Sequence, residues 1–361
     1  MKKVIALFLL SVLILGLVGC TKKNTPSSES PQSKENDNTS DVSGAGGEYV
    51  RVPLKRGMNM TCFEMQEWRP REYLLEDKYY KALKQKGFDH VRIPVKFSLY
   101  CEISGKYTIY DEIFDKLDTA IALATNNGLY AVLDMHGCDD INNNADTYKE
   151  MLYAQWEQIA SHYRGYDDKL IFELLNEPNQ GNKEGPSPLN GDKLNEIQNE
   201  LIKIIRRTNP DRVLVAAVGE NNTVYQMDAV TLPENDPNII VAIHSYEPME
   251  FTHQGATWSS AGDFSQKVTW KESYKQTISE VLDRAANWSS RTGRQVWLGE
   301  FGTCLNIAEQ SDVAAYLSYI TREAEARDIG WCYWEFWMSF GAFDRYEDKW
   351  HDYVVDALIP R

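Results

Sequence analysis

Leu170-Ile171-Phe172-Glu173-Leu174-Leu175-Asn176-Glu177-Pro178 is the stretch that decides the fold. It is a short apolar run with strand-forming residues that stops abruptly in polar residues and a proline. Seven more runs of this texture, at 56–60, 90–96, 129–135, 212–218, 239–245, 295–301 and 331–336, make eight in all. Between them lie charged stretches with apolar residues at spacings of three and four, at 76–86, 112–127, 147–163, 191–208, 271–292 and 312–327, which predict amphipathic helices. Shorter helical stretches at 223–230 and 352–359 complete the alternation. Gly87, Gly128 and Gly330 precede apolar runs and read as left-handed helix caps. Strands that are apolar on both faces fit parallel pairing under a jacket of helices. The fold class is α/β, a (β/α)8 TIM barrel in a single domain at 49–361. A doubly wound open sheet is the alternative, disfavoured because no Gly-rich nucleotide loop follows the first strand.

The rest of the chain reads differently. Lys2 and Lys3 open an apolar run that ends at Leu17-Val18-Gly19-Cys20. This is the layout of an export signal over residues 1–19 and resembles a bacterial lipobox, which implies cleavage before Cys20 and lipidation of its thiol. Residues 20–48 are rich in Ser, Asn, Lys, Pro and Gly and read as a flexible polar tether. The expected location is the cell envelope, facing away from the cytoplasm, held to a membrane by the lipid. A net charge of −15 opposes nucleic-acid binding, which needs a basic footprint, and suits a neutral polymer. Beyond Cys20, the cysteines Cys62, Cys101, Cys138, Cys304 and Cys332 are scattered and lack metal-ligand spacing. They read as small core residues, with no disulfide framework.

Barrels of this class carry their chemistry at the C-terminal strand ends. The third run here ends Asp134-Met135-His136, the fourth Asn176-Glu177-Pro178, the sixth His244-Ser245-Tyr246, the seventh Gly299-Glu300-Phe301-Gly302 and the eighth Trp334-Glu335. Strands four and seven face each other across the mouth, so Glu177 and Glu300 can converge. A retaining glycosidase needs such a pair at about 5–5.5 Å, one carboxylate attacking the anomeric carbon and the other protonating the leaving oxygen. Each negative group raises the proton affinity of the other, so one can serve as the acid. If Glu177 points inward, alternation sends Leu175 and Glu173 the same way. A buried charge must be paired, so Glu173 and Asp134 are expected to bond Arg92 or neighbouring strand ends. Arg92 would keep a nucleophile ionised, Tyr246 would orient it, Asn176 would bond a sugar 2-hydroxyl and Trp334 would offer an aromatic face to a pyranose.

At Leu174-Leu175-Asn176-Glu177-Pro178 and Trp297-Leu298-Gly299-Glu300-Phe301-Gly302 the chain resembles glycoside hydrolase family 5. The likeness extends through Arg56-Gly57-Met58-Asn59, Val91-Arg92-Ile93-Pro94, Leu133-Asp134-Met135-His136-Gly137, His244-Ser245-Tyr246 and Tyr333-Trp334-Glu335-Phe336. It implies that Glu177 is the acid/base and Glu300 the nucleophile. Arg92, His136, Asn176, His244, Tyr246 and Trp334 match the remaining active-site set, and Asn59 of the first-strand motif joins the substrate-binding residues. Residues 250–258 and 340–344 are similar to a branch containing endoglucanases also active on mannan, in which His253 and Trp258 would line the cleft. The chain departs from that branch at Thr61-Cys62, where Gly-Asn is usual, in a one-position shift of Glu64, and at Gly137, where a second His often stands.

The expected function is a retaining endo-β-1,4-glycanase, foremost an endoglucanase or cellulase, with mannan, mixed-linkage glucan and xyloglucan as further substrates. No cofactor, no metal and no nucleic-acid partner is expected; the partners are a β-linked polysaccharide and the membrane, and the protein is expected to be a monomer. The rival reading is a non-catalytic, surface-tethered glycan-binding lipoprotein, which would not require both carboxylates. A metal-dependent barrel hydrolase would want His-x-His on an early strand, a pattern missing from the sequence. His136 and His244 also fit satisfied core histidines, and Trp68, Trp258 and Trp337 fit packing as well as sugar platforms.

Overall fold

The eight apolar runs are eight parallel strands in the computed structural model, which describes residues 48–64, 75–103, 105–137, 139–181, 186–258 and 265–360. They are β1 (Arg56–Asn59), β2 (His90–Val95), β3 (Tyr130–Met135), β4 (Leu170–Glu173), β5 (Leu214–Ala216), β6 (Ile239–His244), β7 (Val296–Phe301) and β8 (Gly330–Tyr333). Each pairs with the next, and Arg56, Gly57 and Met58 of β1 pair with Trp331, Cys332 and Tyr333 of β8. That last pairing closes the barrel and rules out the open sheet. Residues 1–47, with the expected signal, Cys20 and nearly all of the tether, lie outside the described residues, as do Trp68 and Cys138.

Helices follow where the spacing predicts them: Asp77–Lys86, Asp111–Asn126, Ala145–His162, Gly191–Arg206, Tyr274–Thr292, Gln310–Ala326 and Asp352–Leu358. The Gly191–Arg206 helix illustrates the cause. Asn190 caps it by accepting from the Lys193 N–H at 3.0 Å, and Leu194, Ile197, Gln198, Leu201, Ile202 and Ile205 form its buried stripe. Gln198 reaches back to the chain just after β5, donating to Ala217 O at 3.1 Å and accepting from Ala217 N at 2.7 Å. The stretch at 223–230 forms a 3-10 helix, Val224–Ala229, instead of a longer α-helix. Among the described residues no helix is long and apolar enough to cross a membrane.

Alternation sorts the barrel interior into layers. Val132, Ile171, Val215, Ile240, Ala242, Trp297 and Cys332 belong to one buried cluster. Trp297 is fully buried there and donates its indole N–H to His90 Nε2 at 3.2 Å, while His90 Nδ1 meets Asp89 Oδ1 at 2.6 Å. Two residues further along β2, β3 and β4, on the same face, stand Arg92, Asp134 and Glu173. The packed apolar layer therefore carries a charged layer directly above it, toward the C-terminal mouth. Each large apolar side chain so buried stabilises the fold by about 1.5–3 kcal/mol, which offsets part of the desolvation of that charged layer.

Gly330 corrects the reading from sequence. Gly87 caps its helix in the left-handed region at φ 100°, and Gly128 (φ 72°) does so one residue past the cap position. Before β8 the left-handed residue is Asp328 at φ 56°, and Gly330 is the first residue of the strand. A Cβ on Gly330 would lie 1.6 Å from the carbonyl oxygen of Leu54, so glycine is needed for close backbone approach.

Gly330→Ala and Gly128→Ala should therefore differ in chemical denaturation. Gly128→Ala is expected to cost about 1 kcal/mol for its positive φ, and Gly330→Ala about 3 kcal/mol or more because backbone must move. Equal losses would contradict the close-approach account.

Candidate active site

The charged layer is organised by Arg92, whose side chain is fully buried. Its Nε and Nη2 donate to Glu173 at 2.6 and 3.0 Å, a bidentate pair. Nη1 donates to Asn59 Oδ1 at 3.0 Å and to Glu300 Oε1 at 2.6 Å. Nη2 also donates to Asn176 Oδ1 at 2.8 Å and lies 2.9 Å from Asp134 Oδ2. The expected support of the site by Glu173 and Asp134 is thus met through Arg92. One cation serves three carboxylates, so ionising all of them is opposed: burial raises Glu173 and pushes Asp134 up to about 7, against the pull of Arg92. Asn59 donates its amide to Gly299 O at 3.1 Å and Tyr333 O at 3.3 Å, tying β1 to β7 and β8.

Glu300, one residue before the end of β7, has both oxygens engaged. Arg92 holds Oε1, and the Tyr246 hydroxyl donates to Oε2 at 2.9 Å. Burial and the Glu300 charge raise the Tyr246 phenol well above its usual value, so it remains a donor. Glu177 stands opposite, and one carboxylate oxygen of Glu177, one of Glu300 and one ring nitrogen of His244 lie within 4.8 Å of one another. The two carboxyl groups are therefore near the spacing at which one can attack a sugar carbon while the other protonates the departing oxygen. Burial raises the pKa of Glu177 from its usual 4.5, with opposing pulls from His136 and Arg92. Its side chain still keeps 33% of its surface open to the cleft. His244 Nδ1 meets Glu177 Oε1 at 2.8 Å, and burial pushes His244 down to about 4, so the ring is neutral at neutral pH.

Two cavities meet at Glu177. One, of about 400 Å³, is lined by Glu300, Glu177, His136, Trp334, Trp258 and Glu335 among others. The other, of about 360 Å³, also touches Glu177, with Tyr246 and His253 shared, and adds Glu220, Tyr225 and Met249 from the loops after β5 and β6. His136 stacks on Trp334 with ring centroids 5.8 Å apart, and its Nδ1 meets Asp134 Oδ2 at 2.7 Å. Trp258 is 56% exposed, packs near Phe340 and forms an open wall.

The residues read from sequence divide into two groups. Glu177, Glu300, His136, Asn176, Tyr246, His253, Trp258 and Trp334 line the cleft, and His244 lines the adjoining cavity. Arg92 and Asn59 do not: both are fully buried and bond to Glu300, Asn176 and strand carbonyls, so they support the site from beneath instead of touching sugar. Trp337 is partly buried, and the Arg345 guanidinium lies 4.3 Å from its ring centroid. Strand alternation does not carry Glu177, because β4 stops at Glu173 and Glu177 takes a left-handed φ of 44°. Backbone bonds from Leu174 N to Val215 O at 3.0 Å and from Asn176 N to Met135 O at 2.9 Å fix this turn. Cys62, Cys101, Cys304 and Cys332 are buried, as expected of core residues. Sequence reading missed Glu335 as a cleft residue; Thr61, at a departure from the family pattern, donates to its Oε2 at 2.6 Å, and burial raises it well above its usual value. It also missed Asn222, for which no sequence signal stands out.

Comparison with known proteins agrees with this geometry. Residues 44–339 match the family model of cellulase, glycosyl hydrolase family 5. Endoglucanase H of Acetivibrio thermocellus is 27% identical over 271 residues, covering 74% of this chain, and the chain spans 27% of that protein's length. The cellulose synthase subunit Z of Clostridioides difficile superposes with a TM-score of 0.78 at 33% identity, over 85% of this chain and 99% of that one. Thermotoga maritima Cel5A, solved in complex with cellobiose, gives 0.78 at 31% identity over 85% and 97% of the two chains. The same enzyme in complex with mannotriose gives 0.77 at 30%, with the same coverage. A closed eight-stranded barrel, paired carboxylates at its mouth and a family match over most of the sequence place this chain in glycosyl hydrolase family 5, the cellulase family.

Proposed function

We propose that the protein is a retaining endo-β-1,4-glucanase with Glu300 as nucleophile and Glu177 as acid/base. The observation that carries this reading is the carboxylate pair, an oxygen of each within 4.8 Å of an oxygen of the other, with one member held by Arg92 and Tyr246 and the other raised by burial. In the first step Glu300 attacks the anomeric carbon as the glycosidic bond breaks, and Glu177 gives its proton to the departing oxygen. In the second, Glu177 takes a proton from water, which releases the sugar from Glu300 with its original anomeric configuration.

Polarity follows from the lining. The sugar that is attacked sits in the 400 Å³ cavity, beside Glu300 and the Trp334 ring, and the leaving group extends past Glu177 into the 360 Å³ cavity. A cleft that continues on both sides of the acid suits cleavage within a chain. The likeness to an enzyme solved with both cellobiose and mannotriose supports β-1,4-glucan as the main substrate with some tolerance of mannan; mixed-linkage glucan and xyloglucan remain further candidates.

The N-terminal run ending in Leu17-Val18-Gly19-Cys20 supports a second part of the proposal: the enzyme is lipidated at Cys20 and works tethered to the cell envelope.

Glu300→Ala should abolish hydrolysis of carboxymethylcellulose while leaving oligosaccharide binding by calorimetry in place; retained hydrolysis would overturn the nucleophile assignment. Glu177→Ala should slow unactivated substrates by about 10²–10⁴-fold and spare kcat/KM for a dinitrophenyl cellobioside. Because Glu177 must be protonated to act and burial raises its pKa above 4.5, activity should persist above the ordinary carboxylate range and fall as pH rises through the raised value. A descending limb centred near the ordinary value would contradict this.

The parent full-length chain should incorporate labelled palmitate and Cys20→Ala should not. Equal labelling of the two, or no labelling of the parent, would contradict the anchor.

A further inference from the structure

The loop after β5 holds three consecutive non-glycine residues in the left-handed region: Glu220, Asn221 and Asn222, at φ 54°, 63° and 56°. L-residues resist this conformation, so surrounding bonds must impose it. Asn221 N donates to Pro178 O at 3.1 Å, and the Asn179 amide donates to Asn221 Oδ1 at 2.7 Å. The Gln180 amide donates to Glu220 Oε1 at 2.6 Å. The turn is thus fastened to the three residues that follow Glu177.

Its effect is to aim Asn222, which is fully buried, at His244. Asn222 Oδ1 accepts from Val218 N–H at 2.9 Å, which settles the amide orientation, and Nδ2 then faces His244 Nε2 at 3.2 Å. An amide nitrogen only donates, so His244 Nε2 is the acceptor, and a neutral imidazole must carry its single proton on Nδ1. That nitrogen lies 2.8 Å from Glu177 Oε1 and 3.7 Å from Glu300 Oε2. Across the ring sits Gly299, where a Cβ would come within 3.1 Å of Nε2, so the imidazole is enclosed on that side as well.

We propose that Asn222 is a positioning residue for the acid–base step: its amide fixes the Nδ1–H tautomer of His244, whose N–H then occupies Glu177 Oε1 and leaves the transferable proton on Oε2. In the first step that Oε2 proton passes to the leaving oxygen, and in the second Oε2 takes a proton from water. His244 keeps its own proton throughout. In the opposite tautomer two donors would face each other at Nε2, and a bare Nδ1 would draw the Glu177 proton toward the ring and away from the glycosidic oxygen. The proposal rests on Glu177 being the acid/base.

Two variants test it. Asn222→Asp keeps the shape and the acceptor for Val218 N–H but presents an acceptor to Nε2, which should then gain a proton. Asn222→Gly removes the amide at a φ that glycine adopts freely, so it should fold. Imidazole ¹⁵N NMR should show His244 protonated on Nδ1 in the parent and on Nε2 in Asn222→Asp. For both variants kcat/KM on cellotetraose should fall about 10-fold or more, part of the range that general acid catalysis supplies, and kcat/KM on a dinitrophenyl cellobioside should hold. A parent ring protonated on Nε2, equal losses on both substrates, or no loss on cellotetraose would each overturn the proposal. If Glu177→Ala lowers both substrates equally, the acid assignment itself fails; the NMR result reads His244 directly and keeps the two failures apart.

Discussion

The guanidinium of Arg92 holds Glu173, Asp134, Asn59, Asn176 and Glu300 from a position with no exposed surface. Everything at the barrel mouth depends on that buried charge being matched. A lone guanidinium there would be prohibitively desolvated, and losing one partner of such a cluster typically costs about 3–5 kcal/mol. The apolar layer below gives the cluster a rigid floor, with Trp297 and His90 locked together beneath it. The nucleophile candidate is therefore placed by the same bonds that keep the barrel's upper layer neutralised, and geometry and stability are coupled at this one side chain.

Glu177 is controlled differently. It sits outside the strand, in a left-handed turn, and its neighbours are a neutral histidine and the wall of the cleft. Glu300 has two donors on its carboxylate, whereas Glu177 has burial working against its charge. Two carboxyls a few ångströms apart thereby stand in unlike surroundings, which suits dividing attack and protonation between them.

Much of this was legible in the sequence because period-two strands and helical spacing survive in it. All eight runs became strands within a few residues, and polar residues clustered at strand ends marked the mouth. The support given by Glu173 and Asp134 was readable too, since buried charges need partners. What was not legible follows from backbone that leaves the regular menu. Glu177 and Asn222 adopt positive φ without glycine, which no local pattern announces. Gly330 resembled a cap but serves a contact with Leu54, visible only once β8 meets the chain before β1. Asn59 looked like a sugar ligand because depth within a barrel layer cannot be read from spacing, whereas the hold of Arg92 on Glu300 was expected and is observed. The hairpin of Phe343–Asp344 with Lys349–Trp350 was missed because its strands are two residues each.

The central claim is that Glu300 forms a covalent bond to sugar. Incubation with a 2-deoxy-2-fluoro cellobioside bearing a dinitrophenyl leaving group, followed by peptide mapping, tests it directly, because the fluorine slows release of the intermediate. The account predicts one equivalent of fluorocellobiosyl ester on the peptide carrying Glu300, formed in the parent and missing in Glu300→Ala. An ester on Glu177 or Glu335, or turnover that yields the inverted sugar with no ester, would contradict it.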